Sequence, residues 1–274
     1  MTSTPSTPDA LNIVVPMAGR GSRFQDAGYT VPKPLIPVCG VPMIHVVLRN
    51  LKPSRTHRFI FIALRDLVEL HRVDRLLTEW SPGCVVRCLD GVTEGAACTV
   101  LTVRDLIDND APLMIANCDQ WVDIDINDYL RHQDHTGADG MIMTMWADHP
   151  KWSYVRFDDL GEPAEVVEKQ VVSNEATVGI YNYRRGSEFV AAADAMIAKS
   201  LRVNGEFYVA PAYNEMLRSG KRICLYNVGR EYDGMYGLGT PADLGVFEGL
   251  PVARKATAFC QAEVRPAEVR NVRD

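Results

Sequence analysis

The sequence predicts an α/β fold in which a mostly parallel central sheet lies between two layers of helices, a three-layer sandwich. Two observations lead to this prediction. Short β-rich apolar runs alternate with helix-spaced apolar patterns through the first half of the chain. Residues 13–15 and 59–62 are continuously apolar, which is typical of strands that are covered on both faces. Ligands of such sheets bind beyond the carboxyl ends of the strands, so we expect functional residues just after Val15 and Ala116.

The elements of the first half alternate regularly. Runs rich in β-branched and aromatic residues predict strands at residues 12–16, 58–64, 84–89 and 112–116. Apolar residues at spacings of three and four predict helices at residues 42–51, 66–80 and 94–107. Each predicted helix follows one strand and precedes the next, as the crossover connections of a parallel sheet require.

The second half has a different pattern. Short turns such as residues 158–161 separate strands predicted at residues 140–147, 153–157, 164–168 and 177–183. Helices are predicted at residues 187–199 and 208–219. No repeat, low-complexity linker or break in composition divides the chain, so we expect one domain over residues 11–250. Residues 1–10 are expected to be a disordered leader, and residues 251–274 a loose tail of unassigned role.

The composition excludes several classes of protein. Of 274 residues, 47% are hydrophobic and 23% are charged, as in an ordinary globular domain and unlike a disordered or coiled-coil chain. The net charge of −6 argues against a protein that coats nucleic acid or anionic membranes. No apolar run reaches the roughly 20 residues that span a bilayer, and the amino terminus lacks a signal-peptide pattern. The 7 cysteines contain no Cys-x-x-Cys pair, so we expect a cytoplasmic protein with reduced thiols.

A glycine-rich segment follows the first predicted strand. Residues 17–24 are Met-Ala-Gly-Arg-Gly-Ser-Arg-Phe, and residues 32–35 are Pro-Lys-Pro-Leu. Glycines let the backbone approach an anion closely, and Arg20, Arg23 and Lys33 form a positive group in an acidic protein. The spacing fits neither the P-loop nor the Rossmann Gly-x-Gly-x-x-Gly pattern. The segment predicts a site for a polyphosphate.

This combination, together with Gly-Val-Pro-Met-Ile at residues 40–44, resembles the sugar-1-phosphate nucleotidylyltransferases, also called nucleotide-sugar pyrophosphorylases. Within that family it is most similar to members associated with bacterial capsule and surface-polysaccharide synthesis. The resemblance covers about residues 11–248. It implies the nucleotide-diphospho-sugar transferase fold, which is GT-A-like and Rossmann-like, with an amino-terminal nucleotide half and a carboxyl-terminal acceptor half.

The resemblance also implies roles for individual residues. The residues implied to bind the nucleotide are Ala18, Gly19, Arg20, Gly21, Ser22, Thr93, Glu94 and Gly95. The residues implied to bind the acceptor are Glu168, Lys169, Gly179 and Glu206. Asp119 matches the family's aspartate that binds Mg²⁺, which is the implied cofactor. Arg23 and Lys33 are the implied catalytic residues, because they can offset the negative charge that develops on the phosphates.

One departure from the family concerns the metal site. Many relatives have Trp-x-Asp-x-Gly-Thr, whose aspartate is a second metal ligand, whereas residues 236–240 of this chain are Tyr-Gly-Leu-Gly-Thr. Gly237 stands at the position of that aspartate. Asp233 and Asp243 are the nearby carboxylates that a loop could bring into place, and we take Asp233 as the candidate second ligand.

The predicted reaction is attack of a sugar 1-phosphate oxygen on the α-phosphorus of an NTP, which forms an NDP-sugar and pyrophosphate. A first alternative is a cytidylyltransferase that acts on a phosphorylated alcohol or a phosphonate. A second is a glycosyltransferase, because residues 123–125 spell an Asp-x-Asp motif. A third is a catalytically silent, nucleotide-binding regulatory subunit, because Gly237 replaces a metal ligand. The base, the acceptor and the oligomeric state are left open, and no nucleic-acid or membrane partner is expected.

Overall fold

The computed structural model describes residues 10–263 and the side chains of residues 10–260. Most of the predicted leader and the end of the predicted tail therefore lie outside the described residues. The strands are β1 Leu11–Pro16, β2 Pro37–Val38, β3 Val41–Pro42, β4 His57–Leu64, β5 Val85–Leu89, β6 Leu113–Ala116, β7 Gln120–Val122, β8 Gly140–Trp146, β9 Ser153–Phe157, β10 Pro163–Glu168, β11 Glu175–Tyr183, β12 Ile223–Glu231 and β13 Gly234–Gly237.

Helices connect these strands and cover them. They are α1 Ser22–Asp26, α2 Met43–Leu51, α3 Arg65–His71, α4 Val73–Trp80, α5 Ala96–Leu101, α6 Arg104–Ile107, α7 Ile126–Thr136, α8 Gly186–Ala198, α9 Ala212–Arg218, α10 Pro241–Gly249 and α11 Pro251–Glu263. A short 3-10 helix spans Lys33–Leu35. Within the described part of the chain, no helix is both long and apolar enough to cross a membrane.

The central sheet has the order β5-β4-β1-β6-β11-β8-β12-β13-β7, with the β9–β10 hairpin attached to β11. The strands β5, β4, β1 and β6 are parallel, as the continuous apolar runs predict. In the second half, β11 runs antiparallel to both β6 and β8, and β12 runs parallel to β8. The α/β class is confirmed, and the antiparallel strands belong to the half in which turns replace helical connections.

Both faces of the sheet are buried. In β1, Ile13 and Val15 belong to one hydrophobic cluster, while Val14 belongs to the other. In β4, Phe59 packs into the first cluster and Ile60 into the second. Because successive side chains of a strand point to opposite faces, a strand between two apolar layers must be apolar at every position. This packing produces the three-layer sandwich that the sequence predicts.

Two predicted helices are interrupted. The helix predicted at residues 66–80 is divided into α3 and α4 at Arg72, whose φ of 52° is left-handed. The helix predicted at residues 94–107 begins only at Ala96 and breaks between α5 and α6. Apolar periodicity continues across both breaks, so the pattern alone does not reveal them.

The chain after Leu250 is not loose over its first 13 residues. It forms α11, whose Ala253 and Ala256 are buried in the same cluster as α2. The Phe259 ring lies edge-on to His45 of α2, with centroids 4.7 Å apart, and the Arg49 guanidinium lies 4.9 Å from its centroid. The prediction of a loose tail is therefore wrong for α11, which closes one side of the sandwich.

Candidate active site

The glycine-rich loop after β1 forms one wall of a cavity of about 430 Å³, which we call the nucleotide cavity. Gly21 has a φ of 65°, a left-handed conformation that favours glycine. A Cβ at this position would lie 3.1 Å from the Cβ of Lys33, so the glycine lets Lys33 pack against the loop. Seven predicted nucleotide-binding residues line this cavity: Ala18, Gly19, Arg20, Gly21, Ser22, Thr93 and Gly95.

Glu94 is the predicted nucleotide-binding residue that does not line the cavity. Its carboxylate accepts a hydrogen bond of 2.8 Å from the Arg202 guanidinium and is 66% exposed. Its backbone carbonyl accepts a 2.9 Å hydrogen bond from the N–H of Phe207. Glu94 therefore connects the predicted base segment to residues 202–207, and its side chain points away from the site that the sequence analysis assigned to it.

Glu206 lines the nucleotide cavity, although the sequence analysis assigned it to the acceptor. The reason lies in the close contact between Gly95 and Phe207. A Cβ on Gly95, whose φ is 133°, would lie 2.5 Å from the backbone N and O of Phe207. The N–H of Ala97 also donates to the Phe207 carbonyl at 3.0 Å. This backbone pairing holds Glu206 beside the predicted base segment.

A second cavity of about 520 Å³, the acceptor cavity, adjoins the first. Both cavities are lined by Ala96 and Asn117, so they meet at the carboxyl end of β6. This is the position at which open α/β sheets bind ligands. Five of the predicted catalytic, acceptor-binding and metal-binding residues line the acceptor cavity: Arg23, Asp119, Glu168, Lys169 and Gly179.

Glu168 is the last residue of β10, Lys169 follows it, and both line the acceptor cavity. The Glu168 carboxylate accepts a 2.5 Å hydrogen bond from the Ser153 hydroxyl. Burial raises the pKa of Glu168 above its ordinary value, although the Ser153 hydrogen bond and the Lys169 charge oppose this change. The Lys169 ammonium donates to the Tyr208 hydroxyl at 3.0 Å, and this hydrogen bond raises the pKa of Lys169. The cavity thus presents a carboxylate and an ammonium that can contact hydroxyl and phosphate groups.

Asn117 and Gln120 line the acceptor cavity and were not among the predicted site residues. The Asn117 amide donates to the Gln120 side-chain oxygen at 3.4 Å. A Cβ on Gly179, whose φ is 88°, would overlap both amides. Gly179 therefore makes room for two polar side chains at the junction of the cavities. The only sequence feature that could have indicated a role for Asn117 and Gln120 is their position just after the strand that ends at Ala116.

Lys33 and Asp119 form an ion pair across 86 positions of the sequence. Each side chain is 20% exposed. Burial opposes the charge on Lys33, but the Asp119 carboxylate outweighs it and raises the pKa of Lys33 above its ordinary value. The ammonium is therefore fully charged at neutral pH. Lys33 also lines a smaller cavity of about 200 Å³ together with Gly19 and Arg20, so it lies against the glycine-rich loop.

The two carboxylates considered for the second metal ligand lie in different places. Asp233 lies in the turn between β12 and β13, where its side chain is 83% exposed and 4.0 Å from Arg230. It lines neither cavity, so its position does not support the metal role expected for it. Asp243, at the start of α10, lines the acceptor cavity together with Asp119 and Gly237.

The acidic motif at residues 123–125 has structural partners. Asp123 forms an ion pair with Lys255 of α11. Asp125 caps α7, because its carboxylate accepts a 2.8 Å hydrogen bond from the N–H of Asn127. Neither residue lines the nucleotide or acceptor cavity. The motif therefore does not support a glycosyltransferase metal site.

Comparison with protein families agrees with this geometry. The model of the family described as Nucleotidyl transferase matches residues 13–216. The chain belongs to the nucleotidyl transferase family. The match includes the glycine-rich loop, Lys33, Asp119 and the Glu168–Lys169 pair. The resemblance expected from the glycine-rich loop is confirmed.

Two curated members of the family illustrate its range. The chain is 24% identical over 220 residues to a UTP–glucose-1-phosphate uridylyltransferase of Haloferax volcanii, covering 78% of this chain and 86% of that protein. It is 31% identical over 180 residues to the mannose-1-phosphate guanylyltransferase catalytic subunit beta of Danio rerio, covering 62% of this chain. The chain spans about half of the guanylyltransferase, since the match covers 49% of that protein.

Solved structures share the fold. The nucleoside-diphosphate-sugar pyrophosphorylase of Vibrio cholerae RC9 superposes with a TM-score of 0.73 at 24% identity, covering 87% of this chain and 100% of that one. A UDP-glucose pyrophosphorylase complexed with UDP-glucose gives a TM-score of 0.69 at 17% identity, covering 92% and 99%. The nucleotidyl transferase fold therefore extends over most of the chain.

Proposed function

We propose that this nucleotidyl transferase joins the nucleotidyl group of an NTP to a sugar 1-phosphate and releases pyrophosphate. The observation that carries the proposal is the meeting of two cavities at Ala96 and Asn117. One cavity has a glycine-rich wall with an arginine, which suits a polyphosphate. The other contains Glu168 and Lys169, which suit an acceptor that has hydroxyl groups and a phosphate.

The names of the relatives support this choice of acceptor. The Haloferax volcanii and Danio rerio proteins are named for glucose 1-phosphate and mannose 1-phosphate. They use different bases, UTP in one case and a guanylyl donor in the other, so the base is not part of the proposal. A role in surface-polysaccharide synthesis fits an enzyme that makes activated sugars.

Protein groups in the site can stabilise an in-line displacement. The acceptor phosphate oxygen attacks the α-phosphorus and forms a new P–O bond, while the bond to the β-phosphate oxygen breaks and pyrophosphate leaves. Arg23 lies at the acceptor cavity, where it can offset the charge on the α-phosphate. The Lys33 ammonium, fixed by Asp119 against the loop, can offset the charge on the departing pyrophosphate. Glu168 and Lys169 orient the acceptor.

The donor set fits Mg²⁺, which would supply Lewis-acid stabilisation of the phosphate charge when bound. The described residues contain no cluster of three or more His, Cys, Asp or Glu side chains that could hold a metal ion by themselves. Magnesium ions in phosphate-transfer sites often use only one or two carboxylates and take their remaining ligands from substrate phosphates and water. Asp119 provides one such carboxylate. Gly239 lets this carboxylate, whose Oδ2 pairs with Lys33, approach residues 237–239 closely, since a Cβ there would lie 2.6 Å from Oδ2.

A panel assay tests the proposal. Pyrophosphate release is measured with CTP, GTP, UTP, dTTP and ATP, each combined with sugar 1-phosphates, phosphorylated alcohols and phosphonates. We expect release that requires one NTP and one sugar 1-phosphate. Release with a phosphorylated alcohol or a phosphonate, but with no sugar 1-phosphate, would favour the cytidylyltransferase alternative. That alternative remains because Gly237 stands where many relatives have a metal-binding aspartate. NTP binding without release across the panel would favour the regulatory alternative.

A further inference from the structure

Gly237, which stands at the position of the aspartate in many relatives, lies beside Asp243 in the acceptor cavity. A Cβ built on Gly237 would lie 3.7 Å from both Cγ and Oδ2 of Asp243. That is ordinary van der Waals contact, so the Asp243 carboxylate lies next to the Cβ of any side chain at position 237. The two positions are six apart in sequence, and the turn into α10 brings them together.

Asp119 lies on the same short segment of the site. The N–H of Leu238 donates to the Asp119 carbonyl at 2.8 Å, which fixes Asp119 beside residues 237–239. A Cβ on Gly239 would be in close contact with the Asp119 carboxylate, just as one on Gly237 would contact Asp243. Gly239 therefore makes room for the Asp119 carboxylate, Gly237 lies next to the Asp243 carboxylate, and both carboxylates line the acceptor cavity.

Asp243 is held rigidly but without a cation. Its Oδ2 accepts a 2.7 Å hydrogen bond from the Thr240 hydroxyl, and its Oδ1 accepts one of 3.0 Å from the Tyr232 hydroxyl. Among the described side chains, no Lys or Arg lies within 4.0 Å of Asp243. The Asp243 carboxylate is therefore held in the acceptor cavity by two hydroxyl donors.

We propose that Asp243 replaces the missing aspartate of position 237 and binds a divalent cation together with Asp119. The proposal rests on the proposed function, since it names the second ligand of that same site. Two carboxylates that face one phosphate-binding cavity match the donor set that Mg²⁺ and Mn²⁺ prefer. The departure from the family pattern is then a relocated ligand, and the enzyme need not be silent.

Binding of Mn²⁺ alone to the full chain tests this inference, with free Mn²⁺ followed by electron paramagnetic resonance. Asp243→Asn keeps an oxygen acceptor for Tyr232 and removes the charge. We expect it to raise the Kd for Mn²⁺ by about tenfold or more, as does Asp119→Asn. The matched control is Asp233→Asn, which removes an exposed carboxylate outside both cavities and should leave the Kd unchanged. Equal Mn²⁺ binding by the Asp243→Asn variant and the unsubstituted protein would overturn the proposal.

A transplant variant separates cation binding from the hydrogen bonds that the Asp243 carboxylate accepts from Thr240 and Tyr232. Gly237 does not have a left-handed φ, so it accepts an aspartate. Asp243→Ala should lose Mn²⁺ affinity, and the double variant Gly237→Asp/Asp243→Ala should recover most of it without restoring the side-chain hydrogen bonds of residue 243 to Thr240 and Tyr232. Failure to recover, in a variant whose circular dichroism matches the unsubstituted protein, would contradict a relocated ligand. Because no nucleotide is present in this assay, its outcome is independent of the nucleotidyl-transfer assay, and either can fail alone.

Discussion

Replacement of Lys33 by methionine separates the catalytic and structural contributions of the ion pair with Asp119. Methionine retains the length of the side chain and removes its charge. We expect kcat/KM to fall by about 10²-fold or more, which is the usual effect of removing one preorganised charge from a transition state. The measurement is steady-state pyrophosphate release, with NTP and acceptor varied separately.

The stability effect follows from the burial of the pair. Removal of one partner of a fully buried pair costs about 3–5 kcal/mol, because the remaining charge is left unpaired. Each side chain is 20% exposed, and water screens part of that cost, so we expect a loss of about 1–3 kcal/mol in the free energy of unfolding. Urea denaturation measures this loss. The double variant Lys33→Met/Asp119→Asn removes both charges and should lose less than the sum of the single variants by about 1 kcal/mol or more.

A surface ion pair provides the control. Arg104 and Asp194 are about half exposed, so Arg104→Met should change the free energy of unfolding by less than about 1 kcal/mol and leave kcat/KM unchanged. If Lys33→Met lowers kcat/KM less than tenfold, the ammonium has no role in the reaction. If the effects of Lys33→Met and Asp119→Asn on stability are additive, the two side chains do not act as a pair.

Three other changes have specific expected outcomes. Gly95→Ala places a Cβ 2.5 Å from the Phe207 backbone. We therefore expect a lower Tm in thermal denaturation and a loss of about 2–4 kcal/mol in the free energy of unfolding, measured by urea denaturation. An unchanged Tm would refute this close contact. Glu206→Gln should change the KM for the NTP and spare that for the acceptor, since Glu206 lines the nucleotide cavity; the opposite split would return it to the acceptor. Burial raises the pKa of Glu168 above 4.5. Protonation removes the charge of the carboxylate, so kcat/KM for the acceptor should decrease as the pH is lowered, with an apparent pKa above 4.5. Glu168→Gln should abolish this limb of the pH profile; a limb that persists belongs to another group.

The sequence is sufficient for much of the fold because the strands between two layers must be apolar throughout. Residues 59–62 satisfy this requirement, and β4 lies within one residue of its predicted bounds. The helix interruption at Arg72 was missed because a left-handed arginine leaves no mark on apolar spacing. The helix α11 was missed because its charged residues resemble those of a loose tail, whereas Ala253 and Ala256 provide its narrow apolar contact.

The site was predicted best where one continuous segment carries it. The glycine-rich loop lines its cavity as expected, because local backbone chemistry decides its conformation. Glu206 and Asp243 depended on contacts between distant segments. The approach of Phe207 to Gly95 decides which cavity Glu206 lines, and the turn after Gly237 decides that Asp243, rather than Asp233, lines the acceptor cavity. The spacing of residues along the sequence does not predict either of these contacts.

The most direct test of the central claim uses an acceptor whose phosphate oxygens are labelled with ¹⁸O. The panel assay first selects the NTP and the sugar 1-phosphate, and mass spectrometry then follows the label in the products. If the acceptor oxygen attacks the α-phosphorus, all of the label appears in the NDP-sugar, and the released pyrophosphate is unlabelled. Label in pyrophosphate, or release of nucleoside monophosphate and pyrophosphate without a labelled nucleotide sugar, would contradict nucleotidyl transfer to the acceptor.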